Sequence, residues 1–129
     1  MIEIAITKGI KVTVEPFYLE KQSRPMQHHF AHAYRVTIEN QSEEIVQLMR
    51  RHWFIYDAAD EVREVEGPGV IGEQPTLAPG QFHQYTSWCP LTTEVGKMHG
   101  TFTMQMAKDR STFKVVVPVF QLVAPSILN

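Results

Sequence analysis

An all-β fold is what this sequence predicts, and three observations predict it. Polar and apolar residues alternate with period two in several short runs. Clusters of Gly, Pro, Asn and Asp punctuate those runs at short spacing. No stretch carries the apolar period of about 3.6 residues that marks an amphipathic helix. The 129 residues suffice for one domain, spanning 1–129, whose hydrophobic core needs no disulfide or metal staple.

The elements follow in chain order. Lys11-Val12-Thr13-Val14-Glu15 alternates and reads as a strand. Glu20 to Gln27, around Arg24-Pro25, reads as a mobile loop. Tyr34 to Glu39 is the next strand, with Tyr34, Val36 and Ile38 on one face, and Asn40 to Glu44 is a polar turn. Ile45 to Asp57 holds no single period, because Val46 and Leu48 share one parity while Trp53 and Ile55 have the other. A β-bulge near Arg50-Arg51 reconciles them, as does a strand buried on both sides at its end. Asp57 to Asp60 reads as a hairpin turn, and Glu61 to Glu66 as a short returning strand at an edge. Leu77-Ala78-Pro79-Gly80 is a further turn signal. Gln81 to Ser87 is an aromatic-rich strand, and Cys89 to Gly96 is irregular. Gly100 to Met106 turns Phe102, Met104 and Met106 inward. In Thr112 to Leu122, Phe113, Val115 and Val117 share a face while Phe120 and Leu122 take the other. Pro118 sits where the phase changes, and proline, lacking an amide donor, fits a bulge or an edge there. About seven strands with turn signals between them predict an immunoglobulin- or fibronectin-III-like β-sandwich.

Charge and composition exclude several functions. The formal net charge is −2, so no strong field draws the chain to nucleic acid or to an acidic membrane. The one dense basic cluster, Arg50-Arg51-His52, is short. Met1 to Ala5 lacks the positive charge and apolar length of a signal peptide. No run approaches the roughly 20 apolar residues of a membrane helix. These features predict a cytoplasmic protein without membrane insertion. The single cysteine, Cys89, has no internal disulfide partner and reads as a small buried hydrophobe beside Trp88 and Pro90. Ser87 and Ser111 lack a G-x-S-x-G elbow. The acid pairs, Asp57 with Asp60 among them, read as solvated charge, so no catalytic residue is assigned.

Three groups of residues remain as candidate sites. Gly67-Pro68-Gly69-Val70-Ile71-Gly72 matches G-x-G-x-x-G. No helix follows it, since Gln74-Pro75 comes almost at once, and Pro68 removes one amide, so the context argues against a dinucleotide fold. Gly67, Gly69 and Gly72 could still form an amide nest for phosphate, pyrophosphate or a nucleotide. The plainer reading is a sharp loop crossing between sheets. His28, His29 and His32 form an H-H-x-x-H cluster, and in an extended chain His28 and His32 share a side, as ligands for a metal ion would. The plainer reading is a solvated loop and strand start. Nothing else in the sequence calls for a cofactor. Finally, Trp53 reads as core, while Phe54 and Tyr56 beside Arg50 and Arg51 would make a surface for a protein partner.

Taken together, several segments resemble the ApaG family. They are Tyr34 to Asn40, Arg50-Arg51-His52-Trp53, Glu64 to Pro75 including Gly69-Val70-Ile71-Gly72-Glu73-Gln74-Pro75, Leu77-Ala78-Pro79-Gly80, Tyr85-Thr86-Ser87-Trp88-Cys89-Pro90-Leu91, Met98 to Phe102, and Val117 to Leu122. The resemblance implies a fibronectin-III-like sandwich, often dimeric, in a family whose bacterial members carry a label of cobalt resistance and magnesium efflux. It also implies a protein-interaction role, since related domains occur in a eukaryotic F-box substrate adaptor and a DNA-polymerase-delta-interacting protein. The family's glycine loop suggests a pyrophosphate element at Gly67, Gly69 and Gly72. Three departures stand out. His32 replaces an expected aromatic, usually Phe, His28 and His29 fall outside the pattern, and Trp88 replaces a small residue. The expectation is thus a non-enzymatic binding module linked to efflux through a partner, with phosphate binding and direct binding of Co²⁺ or Mg²⁺ at His28, His29 and His32 as alternatives.

Overall fold

A computed structural model describes residues 1–58 and 61–125. Within them the chain forms nine strands: β1 (Glu3–Thr7), β2 (Ile10–Tyr18), β3 (Phe30–Asn40), β4 (Val46–Asp57), β5 (Val62–Pro68), β6 (Thr76–Leu77), β7 (Phe82–Leu91), β8 (Val95–Met106) and β9 (Thr112–Val123). Asp60, half of the acid pair noted above, lies outside the described residues. One antiparallel sheet runs β1-β2-β3-β7, and the second runs β5-β4-β8-β9, with β6 pairing β4 beyond the end of β5. The predicted sandwich is what these strands form.

Two strands escaped the alternation. In β1, Ile4 and Ile6 face out while Glu3, Ala5 and Thr7 are half-buried, so the polarity of the pattern is reversed. β6 is two residues long, too short to show a period. The span Glu20 to Gln27, read as a mobile loop, holds two single 3₁₀ turns. Ser23 is buried between them and ties the segment down. Its hydroxyl donates to Leu19 O (2.8 Å) and accepts from the Ala31 amide (2.9 Å).

Alternation fills the space between the sheets. Val12, Val14, Val36, Ile38, Phe102, Met104, Val115 and Phe120 are fully buried. Trp53 lies at the centre, its ring meeting Tyr34, Phe102 and Phe120 at centroid distances of 5.3, 6.0 and 6.1 Å. Both phase changes in the sequence are bulges. In β4 the register to β8 shifts between Leu48 and Arg50. In β9 two residues, Pro118 and Val119, fall in the shift opposite Met98 to Gly100. The second bulge keeps Val117 and Phe120 both inward.

The two flanks of the sandwich differ. On one, β9 packs alongside β1 and β2, and the Val116 amide donates to Thr7 Oγ1 (3.1 Å). On the other, β7 and β5 each end their sheet with an unpaired edge.

His32 is buried in β3 rather than solvated. Its ring stands edge-on to Tyr18 at 5.3 Å, and its Nε2 has no hydrogen-bond partner. Burial lowers its pKa from 6.5 to about 4. The folded chain therefore refuses a proton that the unfolded chain accepts below its ordinary value of about 6.5. Stability is intact above that pH and falls as pH drops toward 4, by at most about 3 kcal/mol from this one group. Thermal melts from neutral pH to about 4.5 should show that fall, and His32→Phe should flatten it. An unchanged pH profile in the variant would assign the loss to other groups.

Candidate binding cleft

The β4 bulge organises the glycine loop. Ahead of it Val46 and Leu48 point inward, and after it the inward positions are Arg51, Trp53 and Ile55. The bulged residue, Met49, turns its carbonyl to the loop. Met49 O accepts from the Gly69 amide (2.9 Å) and from Gln74 Nε2 (3.0 Å), and the Leu48 amide donates to Pro75 O (3.0 Å). Residues 69–75 thus clasp the bulge between β5 and β6. Val70 and Glu73 exchange both main-chain hydrogen bonds (2.8 and 3.0 Å) around Ile71 and Gly72, whose φ values are 47° and 73°. Two positive φ values in succession make this a type I′ turn. Gly69 has φ 64°, and a Cβ there would lie 2.3 Å from Glu73 O.

These contacts account for the G-x-G-x-x-G spacing. Gly67 lies in the β4–β5 ladder opposite Arg51. Pro68 has no amide proton, and the Gly69 and Val70 amides are spent on Met49 and Glu73. The Gly69 and Val70 amides are therefore not available to an anion, while the Ile71 and Gly72 amides have no main-chain acceptor among the described residues. The loop also presents carbonyls. Arg51 Nη1 donates to Pro68 O and Gly69 O, each at 3.0 Å.

Between this loop and β7 lies a cleft of about 240 Å³. Its interior is formed by Tyr34, Trp53, Tyr85 and Arg51, and its rim by Ile71 and Trp88, which are 61 % and 64 % exposed. Two contacts cross from the loop side to β7 and bracket it. Arg63 Nη2 donates to Pro90 O (2.6 Å), and Glu73 Oε2 faces His83 Nε2 at 3.5 Å. Burial, reinforced by neighbouring Tyr34 and offset in part by Arg51, pushes the Tyr85 phenol well up, so it remains a neutral donor. Its hydroxyl has no hydrogen-bond partner among the described residues. Burial likewise pushes the Cys89 thiol up to about 11, against the pull of Arg63. Cys89 is therefore a protonated, buried side chain and not a ready nucleophile.

The other sequence candidates separate. His28 has φ 55° and caps a 3₁₀ turn, which breaks the extended geometry that would have aligned it with His32. His28 and His29 are exposed while His32 points into the core, so the three are not gathered into a ligand set. Arg50, Phe54 and Tyr56 share the outer face of the second sheet, but Arg51 faces the cleft. On that outer face Phe54 stacks with His52 (4.6 Å) and His99 (5.1 Å), and His99 with Tyr56 (5.3 Å). Beside them His52, Glu64 and Glu66 bring three ligand atoms within 4.8 Å of one another. His52 Nε2 lies 2.5 Å from Glu64 Oε1, and Nδ1 lies 3.7 Å from Glu66 Oε2. This cluster was missed because it depends on the cross-strand pairing of His52 with Glu66. Strand parity alone places Glu64 and Glu66 on one face, but it does not show which residue stands opposite.

A β-sandwich with a clasped glycine loop over an open edge cleft is the class these features define. The family model described as the ApaG domain matches residues 20–106. A Protein ApaG of Brucella anthropi is 54 % identical over 121 residues, covering 94 % of this chain and 92 % of that protein. A Protein ApaG of Paramagnetospirillum magneticum is 52 % identical over 119 residues, covering 92 % and 91 %. A solved structure of a Bordetella pertussis protein described as ApaA superposes with a TM-score of 0.87 at 41 % identity, covering 90 % of this chain and 94 % of that one. The chain belongs to the ApaG family.

The loop geometry has a measurable consequence. Gly69→Ala drives a Cβ into a carbonyl at a positive φ and should destabilise by about 1–3 kcal/mol. Gly72 also has a positive φ, but a Cβ there meets nothing within 4 Å, so Gly72→Ala should cost only about 1 kcal/mol. Urea unfolding of the two variants should give that order.

Proposed function

We propose that this chain is a cytoplasmic protein-interaction module that docks an extended segment of a partner along the free edge of β7. One observation carries the reading: among the described residues β7 ends its sheet, with Trp88 exposed at the rim of the cleft and Phe82 exposed at the strand's start. Asn40 N–H donates to Gln81 O (2.9 Å), and antiparallel pairs alternate. The odd-numbered β7 residues therefore bond to β3, and Phe82, Gln84, Thr86 and Trp88 turn their main-chain groups outward. Natural edges are usually blunted by Lys or by proline. β7 has no Lys, and its one proline, Pro90, lies near the strand's C-terminal end, which leaves Phe82 to Cys89 open. Such an edge suits strand addition by a peptide, and Trp88 is the kind of side chain that anchors it.

No helix of the described residues is long and apolar enough to cross a membrane. An effect on cobalt resistance or magnesium efflux, the family's label, would then act through the docked partner. The test is selection of displayed peptides on the wild-type protein, followed by calorimetry. Thr86→Pro removes an edge amide without touching the ladder to β3, and Pro90 already occupies a position of the same parity. Selected peptides should weaken about tenfold or more on Thr86→Pro and on Trp88→Ser. Failure to enrich any peptide, or equal affinity for all three proteins, would sink the proposal. A second copy of the chain is the competing occupant. It would appear as a dimer in sedimentation equilibrium that Thr86→Pro dissociates.

A second reading, direct binding of a divalent cation, is favoured by the gathering of His52, Glu64 and Glu66. One imidazole with two carboxylates fits a borderline ion such as Co²⁺ better than Mg²⁺, which prefers oxygen alone. Co²⁺ should raise the melting temperature of the wild type and of a His28→Ala/His29→Ala double variant, but not of His52→Ala. A flat response in the wild type disposes of this reading.

A further inference from the structure

We infer that the cleft behind β7 is a carboxylate pocket, which holds an acidic side chain of the docked segment between Arg51 and Tyr85. The inference rests on the docking reading and deepens it by naming the chemistry of the partner.

The cleft contains a positive charge and a hydrogen-bond donor that the fold leaves unmatched. Arg51 is half-buried, and no carboxylate lies within 4.0 Å of it among the described residues. Only its Nη1 is engaged, by the carbonyls of Pro68 and Gly69. The Tyr85 hydroxyl is buried and unpartnered, and its electrostatic neighbours are Tyr34 and Arg51, both cleft residues. Burial pushes the Tyr34 phenol up, against the pull of neighbouring Ser87. The loop's own carboxylate, Glu73, is turned to His83. A buried donor without an acceptor costs free energy, and so does a cation in apolar surroundings. A ligand carboxylate answers both needs at once, with a charge-assisted bond to Arg51 and a second bond from Tyr85.

Size and wall chemistry narrow the ligand. At about 240 Å³ the cleft is smaller than the roughly 300–1,000 Å³ of ordinary small-molecule sites, and it suits one side chain rather than a nucleotide. Trp53, Ile55, Val70 and Met98 line it with apolar surface. A phosphate dianion would be costlier to desolvate there than a monoanion, and of the loop amides those of Gly69, Val70 and Glu73 are already spent. The docking geometry supplies the delivery. Successive side chains of an added strand point to opposite faces of the sheet, so every second residue of a segment paired with β7 turns toward the cleft.

The closing experiment takes peptides selected on β7 and exchanges each acid for its amide, Glu→Gln or Asp→Asn. One exchange should weaken binding to the wild type about tenfold, and the same exchange should cost less on Tyr85→Phe, which removes only the hydroxyl and leaves the bond to Arg51. Peptides that bind yet tolerate every exchange would overturn the pocket and leave β7 docking standing. The pocket is also probed without a peptide, by titrating 4-methylpentanoate and its amide into labelled protein and following amide NMR shifts. Saturable shifts at Ser87 and Trp88 with the acid, absent with the amide and weakened in Tyr85→Phe, support the pocket even if no peptide is ever enriched. No saturable response to millimolar acid, or tighter binding of inorganic phosphate than of the acid, overturns it.

Discussion

One extra residue in β4 decides what each face of this sandwich presents. Met49 has no partner in the register to β8, and the strand beyond it is rotated by one position. Without that bulge, continuing the parity of Val46 and Leu48 would send Arg50, His52, Phe54 and Tyr56 into the core and leave Trp53 in water. With it, Trp53 reaches the centre of the aromatic cluster and Arg51 reaches the cleft. The bulge also frees a carbonyl, and that carbonyl is what the glycine loop grips. The core, the loop and the cleft's one inward cation therefore share a single backbone irregularity.

Much of this was legible in the sequence where the cause is local. The conflict of phase between Leu48 and Trp53 announced the bulge, and the proline at the phase change of β9 announced the other. Cys89, read as a buried hydrophobe, is one. The candidate site was harder to read, because it depends on long-range register. A glycine requirement looks the same whether it serves an anion nest or a type I′ turn. The difference lies in where the amides go, and that is set by Met49 some twenty positions earlier. His28 and His32 looked aligned only because an extended chain was assumed between them, and a left-handed residue removes that assumption. His52, Glu64 and Glu66 became neighbours only once the β4–β5 pairing was known.

The glycine loop and β7 have complementary constraints. The loop is held rigidly, by main-chain bonds on both sides of Gly69 and by the guanidinium beneath it. β7 is held on one side only. A firm wall faces its free edge, and the hydrogen bond from Arg63 to Pro90 O ties the two across the gap. A rigid gap is worth more to a binding module than a flexible one, because less ordering entropy is lost when a ligand enters.

Charge completes the argument about what such a gap selects. The chain as a whole is slightly acidic, so its distant field does not draw anionic partners in, and salt screens that field beyond about 8 Å in any case. Recognition of a carboxylate must then arise at short range, inside the cleft, where apolar walls lower the effective dielectric and strengthen a contact with Arg51. The same walls penalise an uncharged polar group that cannot satisfy Arg51 and Tyr85 together. Discrimination between an acid and its amide would therefore show in dissociation more than in association, as is usual when a buried charge pair rather than a rim charge sets the affinity.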